Sequence, residues 1–164
     1  MWGRGIELIT IYVFSDSHGC SSKMIRVLEE KQPDLCLFLG DGEADFDTVR
    51  ERFPSLRAES VCGNCDRFSQ APKELHLTVG GKRIMAVHGH EYNVKWDRDL
   101  MRLRYSALEK GEDVVLFGHT HSACREEDYV PVILNPGSAG YGSGASYGII
   151  TIDGAVLKTE LRRI

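Results

Sequence analysis

Short apolar runs recur along this chain, and five of them end on side chains able to hold a metal ion. Ile11-Tyr12-Val13-Phe14 leads into Asp16-Ser17-His18, and Leu35-Cys36-Leu37-Phe38-Leu39 leads into Gly40-Asp41. Val61 leads toward Gly63-Asn64. Ile84-Met85-Ala86-Val87 leads into His88-Gly89-His90, and Val114-Val115-Leu116-Phe117 into Gly118-His119-Thr120-His121. Continuous apolar runs of this length, bounded by glycine and polar residues, read as buried strands. Each then delivers its polar side chains at its C-terminal end. Five of the six histidines fall in these clusters; His76 stands alone and reads as structural.

The segments between the runs set the fold class. Residues 6–14 are expected as a strand. Ser21 or Ser22 begins a helix to about Lys31, with Met24, Val27 and Leu28 at helical spacing. Residues 35–39 form a second strand. Phe46, Val49 and Phe53 form one face of a helix that stops before Pro54, and residues 56–61 form a third strand. This βαβαβ opening predicts a parallel sheet covered by helices. Leu75–Val79 and Arg83–Val87 flank a Gly80-Gly81 turn as a hairpin. A helix is expected from about Asp97 to Lys110, with Leu100, Met101, Tyr105 and Leu108 inward. Residues 113–117, 130–134, 146–152 and 155–162 complete the strands. The reading is an α/β fold in a single domain over residues 1–164, its two halves each giving a sheet to a sandwich.

Composition narrows the function classes. At 164 residues and 42% hydrophobic content the chain can build a layered core without disulfides. Its net charge of -4 argues against a nucleic-acid-binding surface. Arg98, Arg102 and Arg104 read as the solvated face of a helix. Five cysteines, an odd number, fit reduced packing residues. The start, Met1-Trp2-Gly3-Arg4-Gly5, has no secretory pattern, and no window approaches the roughly 20 apolar residues of a membrane helix. A cytoplasmic protein with no membrane association is expected.

Asp16, His18, Asp41, Asn64, His88, His119 and His121 make seven mixed nitrogen and oxygen donors. That is too many for one first-row metal that must also hold water. It suits two ions about 3.5–4 Å apart with Asp41 shared between them. Imidazole, carboxylate and amide together favour Mn²⁺, Fe, Zn²⁺, Co²⁺ or Ni²⁺ over Ca²⁺ or an all-oxygen Mg²⁺ cage. His90 sits where it can be a ligand, contact a phosphate or the bridging water, or be structural. Cys62 and Cys65 have C-x-x-C spacing, but a single pair is a weak redox or zinc signal, and Cys65 reads as part of the active loop.

Taken in order, Asp16-Ser17-His18, Gly40-Asp41, Gly63-Asn64-Cys65-Asp66, His88-Gly89-His90, Gly118-His119-Thr120-His121 and Asn135-Pro136-Gly137-Ser138 resemble the calcineurin-like metallophosphoesterases, in particular their small YfcE-type phosphodiesterase branch. The resemblance spans about residues 6–164. It implies a four-layer α-β-β-α sandwich with the metal site at the C-terminal ends of the strands. Asp16, His18, Asp41 and His121 would hold one metal, and Asp41, Asn64, His88 and His119 the other, with Mn as the first choice. The implied reaction is hydrolysis of a small phosphodiester by in-line attack of metal-bound hydroxide, with Asp41, Asn64 and His90 as catalytic residues. Alternatives are a phosphomonoesterase with the same metals, or a protein-interaction scaffold like the retromer subunit of similar fold. Related small members form dimers or tetramers, so a homo-oligomer is an expectation.

One position departs from the larger relatives, which carry histidine after the motif asparagine. Here it is Cys65, whose thiol is a poor acid near neutral pH. Good leaving groups, or protonation by water or by His90, are expected. Specificity is expected from residues 66–72, 91–99 and 122–129. The glycines from Gly137 to Gly144 read either as a mobile surface loop or as backbone running close beneath the metals or into a subunit contact.

Overall fold

In the computed structural model, which describes residues 7–164, the elements run β1 (Ile9–Phe14), α1 (Ser22–Glu30), β2 (Leu35–Phe38), α2 (Glu43–Arg52), β3 (Ala58–Ser60), β4 (Glu74–Val79), β5 (Lys82–Val87), α3 (Met101–Glu109), β6 (Val114–Leu116), β7 (Cys124–Glu126), β8 (Val132–Asn135), β9 (Ser146–Asp153) and β10 (Val156–Arg163). Strand side chains alternate between faces, so a strand apolar on both faces must be covered twice. Ile11 and Val13 of β1, with Leu35 and Leu37 of β2, point inward to Ile84, Ala86, Val114 and Leu116 of the facing sheet. Tyr12, Phe14 and Phe38 point outward, beneath Met24, Val27 and Leu28 of α1 and Phe46 and Val49 of α2. On the far side Met85, Val87 and Val115 pack under Leu103 and Ala107 of α3. Burial of each such large side chain is worth about 1.5–3 kcal/mol, so the two-sided strands enforce the four-layer α-β-β-α sandwich.

The sheets have the orders β10-β9-β1-β2-β3 and β4-β5-β6-β8-β7. β1, β2 and β3 are parallel, as are β5, β6 and β8. The carboxyl ends of each parallel set therefore open to one side, where a crevice forms.

Three expectations need correction. β9 and β10 do not belong to the second half's sheet. β9 lies antiparallel to β1, with Ile9 opposite Ile152 and Val13 opposite Gly148, and β10 edges the same sheet. Ile150 and Ile152 face the inter-sheet core while Tyr147 and Ile149 face the α1/α2 layer, so β9 has the two apolar faces that this place requires.

α3 begins four residues later than expected, because Leu100 adopts a left-handed conformation (φ 54°) and starts the helix only at Met101. Its buried face is Leu103 and Ala107, with Leu100 just ahead. Met101, Tyr105 and Leu108 are 43%, 59% and 49% exposed, the reverse of the expected orientation. β7 was not expected as a strand. It is a three-residue edge paired to β8. Among the described residues no helix is long and apolar enough to cross a membrane. All five cysteines are unpaired.

Candidate metal centre

The loops after β1 and β2 are stitched together by backbone bonds. The Asp16 N–H donates to Gly40 O at 2.9 Å and the His18 N–H to Asp41 O at 3.1 Å. Gly40 and Gly63 permit this closeness: a Cβ on Gly40 would lie 2.4 Å from Gly63 N, and one on Gly63 would lie 2.1 Å from Asp41 Oδ1. The turns are tight enough that Asp16, His18, Asp41, His119 and His121 all have positive φ, between 44° and 65°. Each costs a non-glycine residue on the order of 1 kcal/mol and persists only where its surroundings hold it.

Those surroundings are specific. Asp66 accepts the N–H groups of Asp41 (2.7 Å), Gly42 (2.9 Å), Glu43 (3.0 Å) and Gly63 (2.8 Å), tying the turn after β2 to the start of α2. Asp45 accepts Ser17 Oγ at 2.6 Å and the Gly19 N–H at 2.8 Å. Ser138 Oγ donates to Asp16 O at 2.7 Å. Asn135 Nδ2 donates to Gly118 O at 3.1 Å and Thr120 Oγ1 at 2.9 Å.

The side chains form two groups that meet at Asp41. In the first, His121 Nε2 lies 3.1 Å from Asp16 Oδ1 and 3.2 Å from His18 Nε2. In the second, His88 Nε2 lies 3.0 Å from Asn64 Oδ1, 3.1 Å from His119 Nδ1 and 3.3 Å from Asp41 Oδ2. The same Asp41 oxygen is 3.9 Å from His18 Nε2. Asp16, Asp41 and His88 are buried at the floor, whereas His18, Asn64 and His121 are exposed at the rim. All seven donors are thus brought together.

The arrangement fits divalent cations. His88 Nδ1 is 2.7 Å from Leu39 O, so Nδ1 carries a proton and Nε2 is the atom turned to the cluster, able to ligate once its own proton is displaced. Asp16 Oδ2 accepts the His119 N–H at 3.0 Å and the Ser15 hydroxyl, while Oδ1 is buried with no hydrogen-bond partner among the described residues. Nitrogen and oxygen atoms converging at such distances around an unpartnered buried carboxylate oxygen suit a cation between them. Asp16, His18 and His121 form one candidate ligand group, and Asp41, His88 and His119 another.

The protonation tendencies agree. Burial alone would raise the Asp41 pKa, but hydrogen bonds from His88 and the Cys65 N–H outweigh it and hold the carboxylate ionised. Burial and the His88 charge push His119 down to about 4, leaving it neutral and ready to ligate. For His88 burial works downward too, yet its bond to Asp41 and the charges of Asp16 and Asp41 raise it.

A sequence profile of the calcineurin-like phosphoesterase superfamily domain matches residues 9–155. The chain belongs to that superfamily. It is 33% identical over 131 residues to the probable metallophosphoesterase YsnB of Bacillus subtilis, covering 79% of this chain and 75% of that one. A crystal structure of a predicted phosphoesterase from Streptococcus pneumoniae superposes with a TM-score of 0.81 at 27% identity, over 97% of this chain and 91% of the other. An archaeal phosphodiesterase shares the fold, with a TM-score of 0.68 at 20% identity, over 94% and 100% of the two chains. Membership in the calcineurin-like phosphoesterases implies divalent metal ions, and the candidate ligand groups answer to that need.

The remaining candidates lie around the centre or away from it. His90 opens a turn of 3₁₀ helix, His90–Tyr92. Its ring is 5.4 Å from that of His88 and 6.0 Å from that of His119, beside the donors rather than among them. Cys65 is exposed, and its Sγ lies within 4.8 Å of donor atoms of His18 and Asp41. His76 is remote; its two nitrogens bond Glu112 at 2.8 Å and Glu74 at 2.7 Å, a structural role. The glycine stretch runs close beneath the site: the Ala139 N–H donates to Ser15 O at 2.8 Å, and a Cβ on Gly140 would lie 2.0 Å from Ser17 O.

Sequence reasoning did not single out the positioning roles of Asp45 and Asp66. The only available signal for Asp66 was its place in Gly63-Asn64-Cys65-Asp66. Nor did it find Tyr141, whose ring lies 5.6 Å from that of His18 and 5.2 Å from that of His121.

Proposed function

We propose that the protein hydrolyses a phosphodiester at a centre of two divalent transition-metal ions, Mn²⁺ foremost, with Ni²⁺, Fe, Zn²⁺ and Co²⁺ as alternatives. The observation that carries this reading is the pair of donor groups sharing Asp41, with the buried Asp16 Oδ1 left without a hydrogen-bond partner among the described residues. Asp16, His18, Asp41 and His121 would hold one ion, and Asp41, Asn64, His88 and His119 the other. When bound, the ions supply Lewis acidity toward the phosphoryl oxygens and make water a nucleophile near neutral pH.

The chain's own groups do the rest. The strained turns fix the donors before substrate arrives, so little reorganisation is needed. In the metal-free protein burial and the neighbouring His88 charge lower the His90 pKa, and cations held beside it would act in the same direction, so His90 would serve as a neutral imidazole. A neutral imidazole there hydrogen-bonds a phosphoryl oxygen but is a poor proton source. In the metal-free protein burial and the charge of Asp41 raise the Cys65 thiol, and a thiol is too weak an acid near neutral pH to protonate a departing alkoxide well. The preferred substrates therefore have leaving groups that need little protonation. Diesters are favoured over monoesters by the resemblance to the small phosphodiesterase branch. Two surface pockets, of about 380 Å³ beside Cys65 and about 190 Å³ beside His18, would leave room for an ester arm on each.

The test is hydrolysis of bis-p-nitrophenyl phosphate and p-nitrophenyl phosphate by metal-stripped protein to which each candidate ion is returned. Faster turnover of the diester with Mn²⁺ is expected. A clear monoester preference would make the protein a phosphomonoesterase. Absence of metal uptake would move it to the scaffold class.

A further inference from the structure

The larger pocket is lined by Glu43, Ala44, Asp47, Cys65, Asp66, Arg67, Phe68 and Ser69. It includes Cys65, whose sulfur is within 4.8 Å of the His18 and Asp41 donors, so whatever fills it would lie beside the centre. Its volume of about 380 Å³ is within the usual range for small-molecule sites.

Two features define the chemistry it accepts. Phe68 is 95% exposed, which leaves a whole aromatic face open at the pocket rim. A planar π-system is the natural partner for such a face, and nucleobases stack on aromatic side chains regardless of sequence. The polar lining is acidic, with three carboxylates against the single Arg67 guanidinium. Asp66 is committed to four backbone N–H groups and Asp47 to Arg50 at 2.8 Å. Glu43 remains, at the start of α2 and in the pocket lining. A free carboxylate accepts bonds from ribose hydroxyls or base amino groups and repels a second phosphate.

We propose that this pocket binds one ester arm of the substrate as an uncharged nucleoside, its base stacked on Phe68 and its hydroxyl or amino groups bonded to Glu43. The proposal rests on the phosphodiesterase reading for its place beside the metals, but its own contacts need no metal. The smaller pocket, lined by Ser17, His18, Gly140 and Tyr141, is left to the second arm.

The experiment titrates the full chain, with and without added Mn²⁺, with the fluorescent nucleoside 2-aminopurine riboside. Adenosine, adenosine 5′-phosphate, ribose and a short single-stranded oligonucleotide serve as competitors. Quenching on stacking is expected in both metal states. Phe68→Ala should weaken binding about 10-fold or more, the loss that removal of a stacking partner carries, and Phe68→Tyr should restore it. Glu43→Gln should weaken it about 5-fold by removing the charge on the acceptor.

Without metal, adenosine 5′-phosphate should bind more weakly than adenosine, because its phosphate meets the Asp16 and Asp41 carboxylates. Mn²⁺ should reverse that order. Binding that ignores Phe68, or that favours ribose or the oligonucleotide over adenosine, overturns the pocket assignment. Phe68-dependent nucleoside binding with no metal uptake would instead support the pocket and sink the phosphodiesterase reading.

Discussion

The two oxygens of Asp41 have separate duties. Oδ1 accepts the Cys65 N–H at 2.8 Å, and Oδ2 lies between His88 and His18. Asp41→Asn keeps the shape but removes the charge that both metal sites would share. Loss of an outer hydrogen-bond partner of a ligand costs about 10–100-fold in metal affinity or activity, so loss of this donor should cost more than about 100-fold. Metal analysis should show both ions lost, whereas His119→Ala should lose only one. If Asp41→Asn kept two ions, Asp41 would not bridge.

A pH dependence follows from His88. In the metal-free protein its pKa is raised above the ordinary 6.5, so its protonated form adds stability. That stability is fully present below the unfolded value and is lost as pH rises through the raised folded one. Metal must displace the same proton. Calorimetric titration should therefore show uptake tightening with pH from about 6 upward, with proton release, until the raised pKa is passed. His119, at about 4, adds nothing in that window. An affinity flat between about pH 6 and 8 would refute this. At this scale the convergence of these side chains was legible in the sequence because most of them closely follow an apolar run, Asn64 least so. The positioning residues were not, since Asp66 and Asp45 act on backbone amides brought to them by the fold.

Among the elements, α2 owes its start to a residue outside it. Its N-cap, Gly42, makes no side-chain cap, and Asp66 accepts the first amides from across the turn. Asp66→Ala should lower stability by about 1–3 kcal/mol in urea denaturation and weaken metal binding about 10–100-fold. Burial would raise the Asp66 carboxyl, but its backbone hydrogen bonds prevail and lower its pKa. Its contribution is present above the unfolded carboxylate value and fades as pH falls through the lower folded one. The variant should therefore show a flatter acid limb.

α3 provides the contrast. Leu103→Ala should cost about 2–5 kcal/mol, while Leu108→Ala should stay within about 0.5 kcal/mol. Apolar periodicity favoured the opposite face, because Met101, Tyr105 and Leu108 also recur at helical spacing. The chain enters α3 through the left-handed Leu100, and the Leu103 and Ala107 stripe is the one turned inward. β7 was illegible for a related reason: Cys124-Arg125-Glu126 has no apolar alternation and is a strand only because β8 pairs with it.

For the whole molecule, layer count was readable and strand order was not. Two-sided apolar strands demand two covers, but nothing local to β9 says that it joins β1 rather than the second sheet. The centre draws donors from the ends of β1, β2, β3, β5 and β6, spanning both sheets, so metal binding should report on global stability. An ion that binds only the folded state at about 100 times its Kd stabilises it by about 2.7 kcal/mol. Thermal scans should show a rise in midpoint with Mn²⁺ that a chelator abolishes and that Asp41→Asn lacks.

The late return of the chain to its first strand has a temporal meaning. All seven donors have been made once residue 121 is added, yet the Asp16 turn still lacks Ser138, Ala139 and the β9 partner of β1. During synthesis the earlier strands emerge first and wait with an open edge. The centre is thus a certificate of completion: a chain stalled before β9 has every ligand but lacks part of what holds the Asp16 turn.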